Sequence, residues 1–369
     1  MKAMILAAGK GTRVRPLTNE MPKPMIPIIG KPVMEYLIEE LERHGFKEIM
    51  INVSHLPDKI ENYFGNGSRM GVEIGYSFEG HIEEREIVSE AVGSAGGIKR
   101  IQDFGGFFDD TFLVVCGDAL IDLDLTAAVR EHWRSGAVAS ICTATVDPSD
   151  VSDYGVVVSD DSGQIVSFQE KPAMEDALSN EVNTGIYIFE PEVIDLIPSA
   201  TNFDIGADLF PLLVKKSLKF NAINLPFNWI DIGRISDYWE ANQKIMQGEL
   251  RTIPMPGSEV KPGIWVGLNT QIDWNECDIT GPVYIGSGTR IEGGAKIEGP
   301  TWIGHGCYIR KGSSISKSII FEYTRIGSDS AVENAVAYGK FFVDKDGNSF
   351  ESSDIHLDWV TDSRIPTKA

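Results

Sequence analysis

From position 279 onward isoleucine recurs at 279, 285, 291, 297, 303, 309 and 315, seven in succession at a spacing of six. Gly286 and Gly304 directly follow two of them, and Ile320, Ile326 with Gly327, and Val332 carry the period on after a one-residue slip. A six-residue apolar repeat with small or turn residues between is the mark of a parallel β-helix, one flat side per repeat and three repeats per coil. An ordinary strand-rich domain would meet this spacing only by accident. Such a coil carries little chemistry of its own. It commonly mediates oligomers and needs capped ends, and Asp354 to Val360 reads as a short terminal helix serving that purpose.

Upstream the periodicity is different. Short apolar runs at Met4 to Ala8, Ile49 to Val53, Val72 to Phe78, Thr111 to Cys116 and Ala137 to Val146 read as strands. Between them, Val33 to His44 puts Val33, Met34, Leu37, Ile38 and Leu41 on one helical face, with Pro32 ahead and Gly45 behind. Strands alternating with helices predict an α/β layer fold with a Rossmann-like, mostly parallel sheet. Gly155 to Ser159, Ile165 to Gln169 and Val182 to Phe189 are denser in strand, as expected of a β-insertion covering one side of a pocket. The breaker-rich stretch at 254–263 separates the two periodicities. The expected organisation is a catalytic domain over 1–252, a linker over 253–263 and the repeat domain with its cap over 264–369.

The net charge of −21 sets a surface that repels a nucleic-acid backbone or an anionic lipid face. Yet the first 31 residues hold Lys2, Lys10, Arg13, Arg15, Lys23 and Lys31 against Glu20 alone, so a small anion is the expected ligand near the N-terminus. Cys116, Cys142, Cys277 and Cys307 lack the close pairs of zinc sites and the density of a secreted scaffold, which predicts reduced thiols in a cytoplasmic protein. The apolar run Met4 to Ala8 is too short for a signal peptide, and no stretch approaches the roughly 20 apolar residues of a membrane span. Neither nucleic acid nor membrane is an expected partner.

The first strand runs into Gly9-Lys10-Gly11-Thr12-Arg13, where glycines let backbone N–H groups approach phosphate oxygens and basic side chains neutralise charge. It is neither a Walker A loop, because Gly11 follows Lys10, nor a dinucleotide fingerprint, because Val14 stands where a third glycine is needed. The continuation Arg13-Val-Arg-Pro-Leu-Thr, then Pro22-Lys23-Pro24, resembles the N-terminal signature of the sugar-1-phosphate nucleotidylyltransferases. The resemblance extends through Gly93-Ser-Ala-Gly, Cys116-Gly-Asp118, Tyr154-Gly155-Val, Glu170-Lys171-Pro172, Asn183-Thr-Gly185-Ile-Tyr, Phe203-Asp-Ile-Gly and Trp229-Ile-Asp231-Ile-Gly. The repeat tail, left-handed in that family, matches the branch that makes GDP-mannose, ADP-glucose or UDP-glucose.

The resemblance implies transfer of a nucleoside monophosphate from an NTP to a sugar 1-phosphate, with pyrophosphate released. Repulsion among the phosphates is the main obstacle, so catalysis is expected from positioning and charge neutralisation rather than from a covalent intermediate. Asp118 follows a strand whose C-terminal end is where open α/β sheets bind ligands, and the family makes Asp118 and Asp231 the Mg²⁺ ligands. It likewise makes Arg13 and Lys23 triphosphate cations and Lys171 the lysine on the sugar phosphate. Nucleotide contacts fall to Ala8, Gly9, Gly11, Thr12, Arg13, Glu90 and Gly93. Sugar-side contacts fall to Glu170, Asn183 and Thr184, with Gly155 and Gly185 allowing close approach. Asp122 and Asp124 read as the start of the helix from Thr126. A homo-oligomer is the expected assembly.

Two other functions are open. Repeat coils also form acyltransferases with a catalytic histidine, for which His305 is the candidate, and non-catalytic regulatory relatives keep both domains. Intact Arg13, Lys23, Asp118, Lys171 and Asp231 favour an enzyme. For the base, Glu90 stands where the GDP-mannose branch has a glutamate, and a carboxylate can accept two hydrogen bonds from guanine but only one from uracil. The whole-chain likeness nevertheless favours UTP and glucose 1-phosphate, with GTP and mannose 1-phosphate as the alternative.

Overall fold

A computed structural model describes residues 1–83, 86–249, 253–339, 341–351 and 360–364. The strands Phe112–Cys116, Lys2–Ala7, Glu48–Val53 and Glu73–Phe78 lie side by side and parallel, in that order. Side chains along a strand point alternately to opposite faces. Ala3, Ile5 and Ala7 therefore join one buried cluster with Met34, Leu37, Ile38 and Leu41 of the helix Val33–Arg43. Met4 joins the cluster on the other face, with Ala95, Ile98 and Ile101 of the helix Ser94–Gly105. Apolar residues on both faces of the central strand are what a sheet covered by helices on both sides requires.

The strand-rich later part extends this sheet in the antiparallel sense. Glu181–Phe189 runs against Phe112–Cys116, with Ile186 opposite Val115, and carries Ala139–Thr145 and the hairpin Gly155–Ser159/Ile165–Glu170 on its other side. A separate short pair, Ala119–Ile121 with Trp229–Asp231, places Asp231 opposite Ala119.

The six-residue period builds a parallel β-helix. Val266, Ile285, Ile303 and Ile320 are stacked in one ladder, Ile272, Ile291, Ile309 and Ile326 in a second, and Ile279, Ile297, Ile315 and Val332 in a third. All from Ile285 onward are buried. The slip is a coil shortened by one residue between Ile315 and Ile320, after which every ladder resumes its register. At the far end the hairpin Phe341–Asp344/Ser349–Glu351 pairs antiparallel onto Ala335–Tyr338. Of the expected capping helix, residues 354–359 lie outside the described ones, and Val360 begins a strand, Val360–Asp362, antiparallel to Thr324–Ile326.

Contacts divide the chain into two compact units, and the division falls elsewhere than the expected linker. The first comprises Met1–Lys10, Met21–Met25 and Val33–Asp231; the second comprises Gly11–Glu20, Ile26–Pro32 and Ile232–Ala369. The helix Ile235–Met246 belongs with the coil because its side chains are spent there. Tyr238 packs on Phe321 with ring centroids 6.1 Å apart, and the Trp239 indole N–H donates to the Lys317 carbonyl at 2.7 Å. Part of the breaker-rich stretch is itself a strand, Ser258–Lys261, paired antiparallel with Ile264–Val266.

Candidate active site

In the first unit the parallel strand Lys2–Ala7 ends at Ala8 and Gly9, beside Gly117, whose N–H donates to the Leu6 carbonyl at 2.9 Å. A cavity of about 360 Å³ opens over these strand ends, lined by Ala8, Gly9, Lys23, Glu79, Gly93, Ser94 and Asp118 among others. The helix Ser94–Gly105 starts there, and its free N–H groups favour an anion. Gly93 is at φ +76, and a Cβ on it would lie 2.4 Å from the Phe203 carbonyl oxygen, so glycine is required by the fold itself.

Asp118 forms an ion pair with Lys23. The next residue in sequence, Ala119, is opposite Asp231, so two carboxylates from distant parts of the sequence come near one another. Their charges, after the larger effect of burial, push the Cys116 thiol up. The Asp118 carboxylate already carries one cation, the Lys23 ammonium, and both aspartates supply hard oxygen donors. That donor set fits a divalent metal of the Mg²⁺ kind.

Glu90, expected to read the base, lies outside this cavity. The Glu90 side chain is 68% exposed, 3.9 Å from His81, and does not line the cavity. Glu79 does, at 4% exposure. Its carboxylate accepts from Asn52 Nδ2 at 2.6 Å and from the Val92 N–H, and Asn52 Oδ1 accepts from the Ala7 N–H at 2.7 Å. Through Asn52, Glu79 thus joins the end of the first strand at Ala7 to the segment before Gly93. Burial raises its carboxyl above the usual range, against the opposing hydrogen bonds. Sequence reasoning missed Glu79 because the hairpin Gly80–Glu83/Glu86–Ser89 separates it from Gly93. The hairpin returns the chain so that Glu90 N–H donates to the Glu79 carbonyl at 3.0 Å, and of the two glutamates only Glu79 faces inward.

Among the residues expected to meet the sugar, Gly155 and Glu170 are cross-strand partners, and a Cβ at 155 would stand 2.5 Å from the Phe168 ring and 3.3 Å from Glu170 Oε2. Burial raises the Glu170 carboxyl, with Lys171 opposing and Asp204 reinforcing. Lys171, 54% exposed at its side chain, has its ammonium 3.9 Å from Glu170 and its backbone in the left-handed region at φ +46. Non-glycine residues held there are strained, and such strain collects at functional sites. Asn183 donates to Tyr187 Oη at 3.0 Å and accepts from Gly185 N–H at 2.9 Å. Gly185, at φ +76, leaves room for Cys116 Sγ, 2.7 Å from where a Cβ would be. Thr184 is 3% exposed, and its hydroxyl is spent on the Cys142 carbonyl at 2.7 Å.

Gly11, Thr12 and Arg13 fall in the second unit. Gly11 is at φ +60, and its carbonyl accepts from Val14 N–H at 3.0 Å and from Thr18 Oγ1 at 2.7 Å, which closes the turn and leaves Thr12 and Arg13 exposed. His305, the acyltransferase candidate, is 3.4 Å from Glu322 and edge-on to Tyr323. Of the two helix-start aspartates, Asp124 caps the helix Leu125–Ser135 by accepting from Ala127 N–H at 2.9 Å. Asp122 instead holds Asn228, accepting from its side chain at 2.6 Å. Among the described residues no helix is long and apolar enough to cross a membrane.

Residues 2–248 match the family profile described as Nucleotidyl transferase. The chain is 56% identical over 365 residues to a UTP–glucose-1-phosphate uridylyltransferase of Synechocystis sp., covering 99% of this chain and 94% of that protein. A mannose-1-phosphate guanylyltransferase of Mycobacterium tuberculosis is 30% identical over 305 residues, covering 79% of this chain and 78% of its own length. Among solved structures, HddC from Yersinia pseudotuberculosis superimposes with a TM-score of 0.54 at 27% identity, covering 66% of this chain and 99% of that one.

Proposed function

The chain belongs to the nucleotidyl transferase family, and from that premise we propose that it transfers the uridylyl group of UTP to glucose 1-phosphate, making UDP-glucose and releasing pyrophosphate. The observation that carries this reading is the full-length likeness to a uridylyltransferase, against which the guanylyltransferase likeness is more distant. A phosphate oxygen of the sugar phosphate attacks the α-phosphorus in line. The bond to the bridging oxygen breaks, and pyrophosphate departs with the electron pair.

Within this reading Asp118 and Asp231 hold Mg²⁺, which when bound supplies charge neutralisation on the reacting phosphates. Lys23, ion-paired with Asp118, and Arg13 are the cations for the triphosphate. Backbone groups at Ala8, Gly9, Gly11 and Thr12 approach phosphate and base, helped by the start of the helix at Ser94. Lys171 holds the sugar phosphate, and Glu170 and Asn183 meet sugar hydroxyls. Glu79, rather than Glu90, is the glutamate at the base end. With its carboxylate spent on Asn52 and Val92, the uracil falls to backbone groups near Ala8 and Gly93. A cytoplasmic setting, with which four free cysteines agree, and a homo-oligomer belong to the same proposal.

The test is a split in apparent Michaelis constants. Lys171→Ala should raise KM for glucose 1-phosphate more than for UTP, and Arg13→Ala the reverse. Equal effects on both constants in both variants would contradict the assignments.

A further inference from the structure

The glycine-rich turn and the coil belong to one unit, and the contacts that join them are specific. Glu20 Oε2 accepts from the Tyr338 hydroxyl at 2.9 Å, and the Pro27 carbonyl accepts from the hydroxyl of Tyr238 at 3.0 Å. Gly30, at φ +83, lies against the Trp302 indole so closely that a Cβ would be 3.1 Å from the ring. The three contacts reach one wall of the coil and the helix seated on it. Phe321 lies between Tyr238 and Tyr338, with centroids 6.1 and 4.9 Å away, and Trp302 is stacked on Tyr284 at 3.9 Å.

The inward isoleucines suffice to build a coil. Outward aromatic residues are not needed for it, and a wall facing water would be polar, yet Tyr284, Trp302 and Phe321 are all buried. The held segments also bury their own apolar residues Val14, Leu17, Ile26 and Ile28. Between Gly11 and Pro32 the longest regular elements are three-residue 3₁₀ turns, so the segment has little internal structure to hold its shape. A loop that must be ordered at binding gives up affinity to that ordering, and one ordered beforehand does not.

We propose that this wall of the coil is a positioning surface for the nucleotide. Tyr338 acts through Glu20, and Tyr238 through Pro27, to hold the turn bearing Thr12 and Arg13 in its binding conformation. The coil thereby enters NTP affinity as well as assembly. The proposal rests on the reading of Arg13 as a triphosphate ligand.

Steady-state kinetics on the full chain with UTP and glucose 1-phosphate, alongside thermal melting, test it. Tyr338→Phe and Glu20→Ala should each raise KM for UTP by about 3- to 10-fold, the weight of one ordinary hydrogen bond at a solvent-exposed position. Turnover and KM for glucose 1-phosphate should stay within about twofold and the melting temperature should hold, a split that a merely structural role would not produce. Glu20→Gln, which keeps an acceptor, should recover part of the loss, and Tyr338→Phe combined with Glu20→Ala should be no worse than either alone. An unchanged KM for UTP in both single variants, with Arg13→Ala raising it, overturns the positioning role alone. An Arg13→Ala variant with unchanged KM for UTP overturns the active-site reading and this proposal together. Additive losses in the double variant, or parallel losses in every constant and in melting, also overturn it.

Discussion

Asp118 and Asp231 are 113 positions apart, and both are legible in the sequence because each is embedded in a motif. The strand pair then sets Asp231 opposite Ala119, the residue after Asp118, and Lys23 is ion-paired with Asp118. Asp118→Asn and Asp231→Asn are each expected to lower turnover by on the order of a hundredfold, the scale of one preorganised electrostatic contact, without loss of melting temperature. Near-normal pyrophosphate release at saturating Mg²⁺ would remove that residue from the ligand set. Glu79 was not legible, because the family resemblance pointed to Glu90 and only the folded hairpin distinguishes the two. Glu90→Gln should change UTP use by less than about tenfold, under about 1.4 kcal/mol. Glu79→Gln carries a pH signature. Burial raises the folded-state pKa of Glu79 above its unfolded value, so the stability linked to it is fully present below the ordinary carboxyl range and is lost as pH rises through the raised value. The melting temperature of Glu79→Gln minus that of the parent should therefore grow from pH 4 to pH 8. A difference that shrinks over that range would mean the carboxylate is stabilised where it lies.

The elements divide into those whose period alone identifies them and those whose partners do not show in sequence. Coil strands belong to the first kind, since each isoleucine repeats an identical inward environment and even the shortened coil keeps register. Ile309, buried at the middle of its ladder, should cost about 2–5 kcal/mol as Ile309→Ala, measured by denaturant unfolding. A loss below about 1 kcal/mol would mean that the coil interior is not packed. The helix Ile235–Met246 belongs to the second kind. Nothing in the sequence says that Tyr238 turns to Phe321 of the coil. The breaker-rich stretch after it marks a change of period, not a change of contact partner, and so the expected boundary and the observed one differ. Which wall of the coil is covered was equally hidden, because all three walls share one six-residue period.

At the scale of the whole molecule, a chain of net charge −21 gathers an excess of five positive charges in its first 31 residues, and that segment is divided between the two units. Removing the coil should therefore weaken UTP use as well as any self-association. A chain ending near position 248, compared with the full chain by light scattering and kinetics, should show a higher KM for UTP. An unchanged KM would confine the coil to assembly. The reaction class was legible because many short motifs occur in family order, whereas the choice of base was not, since no single side chain of the sequence separates uracil from guanine. The measurement that bears on it most directly offers the full-length protein UTP, GTP, glucose 1-phosphate and mannose 1-phosphate together with Mg²⁺, and resolves the nucleotide sugars by mass spectrometry. UDP-glucose should be the dominant product; GDP-mannose in its place would contradict the uridylyl assignment.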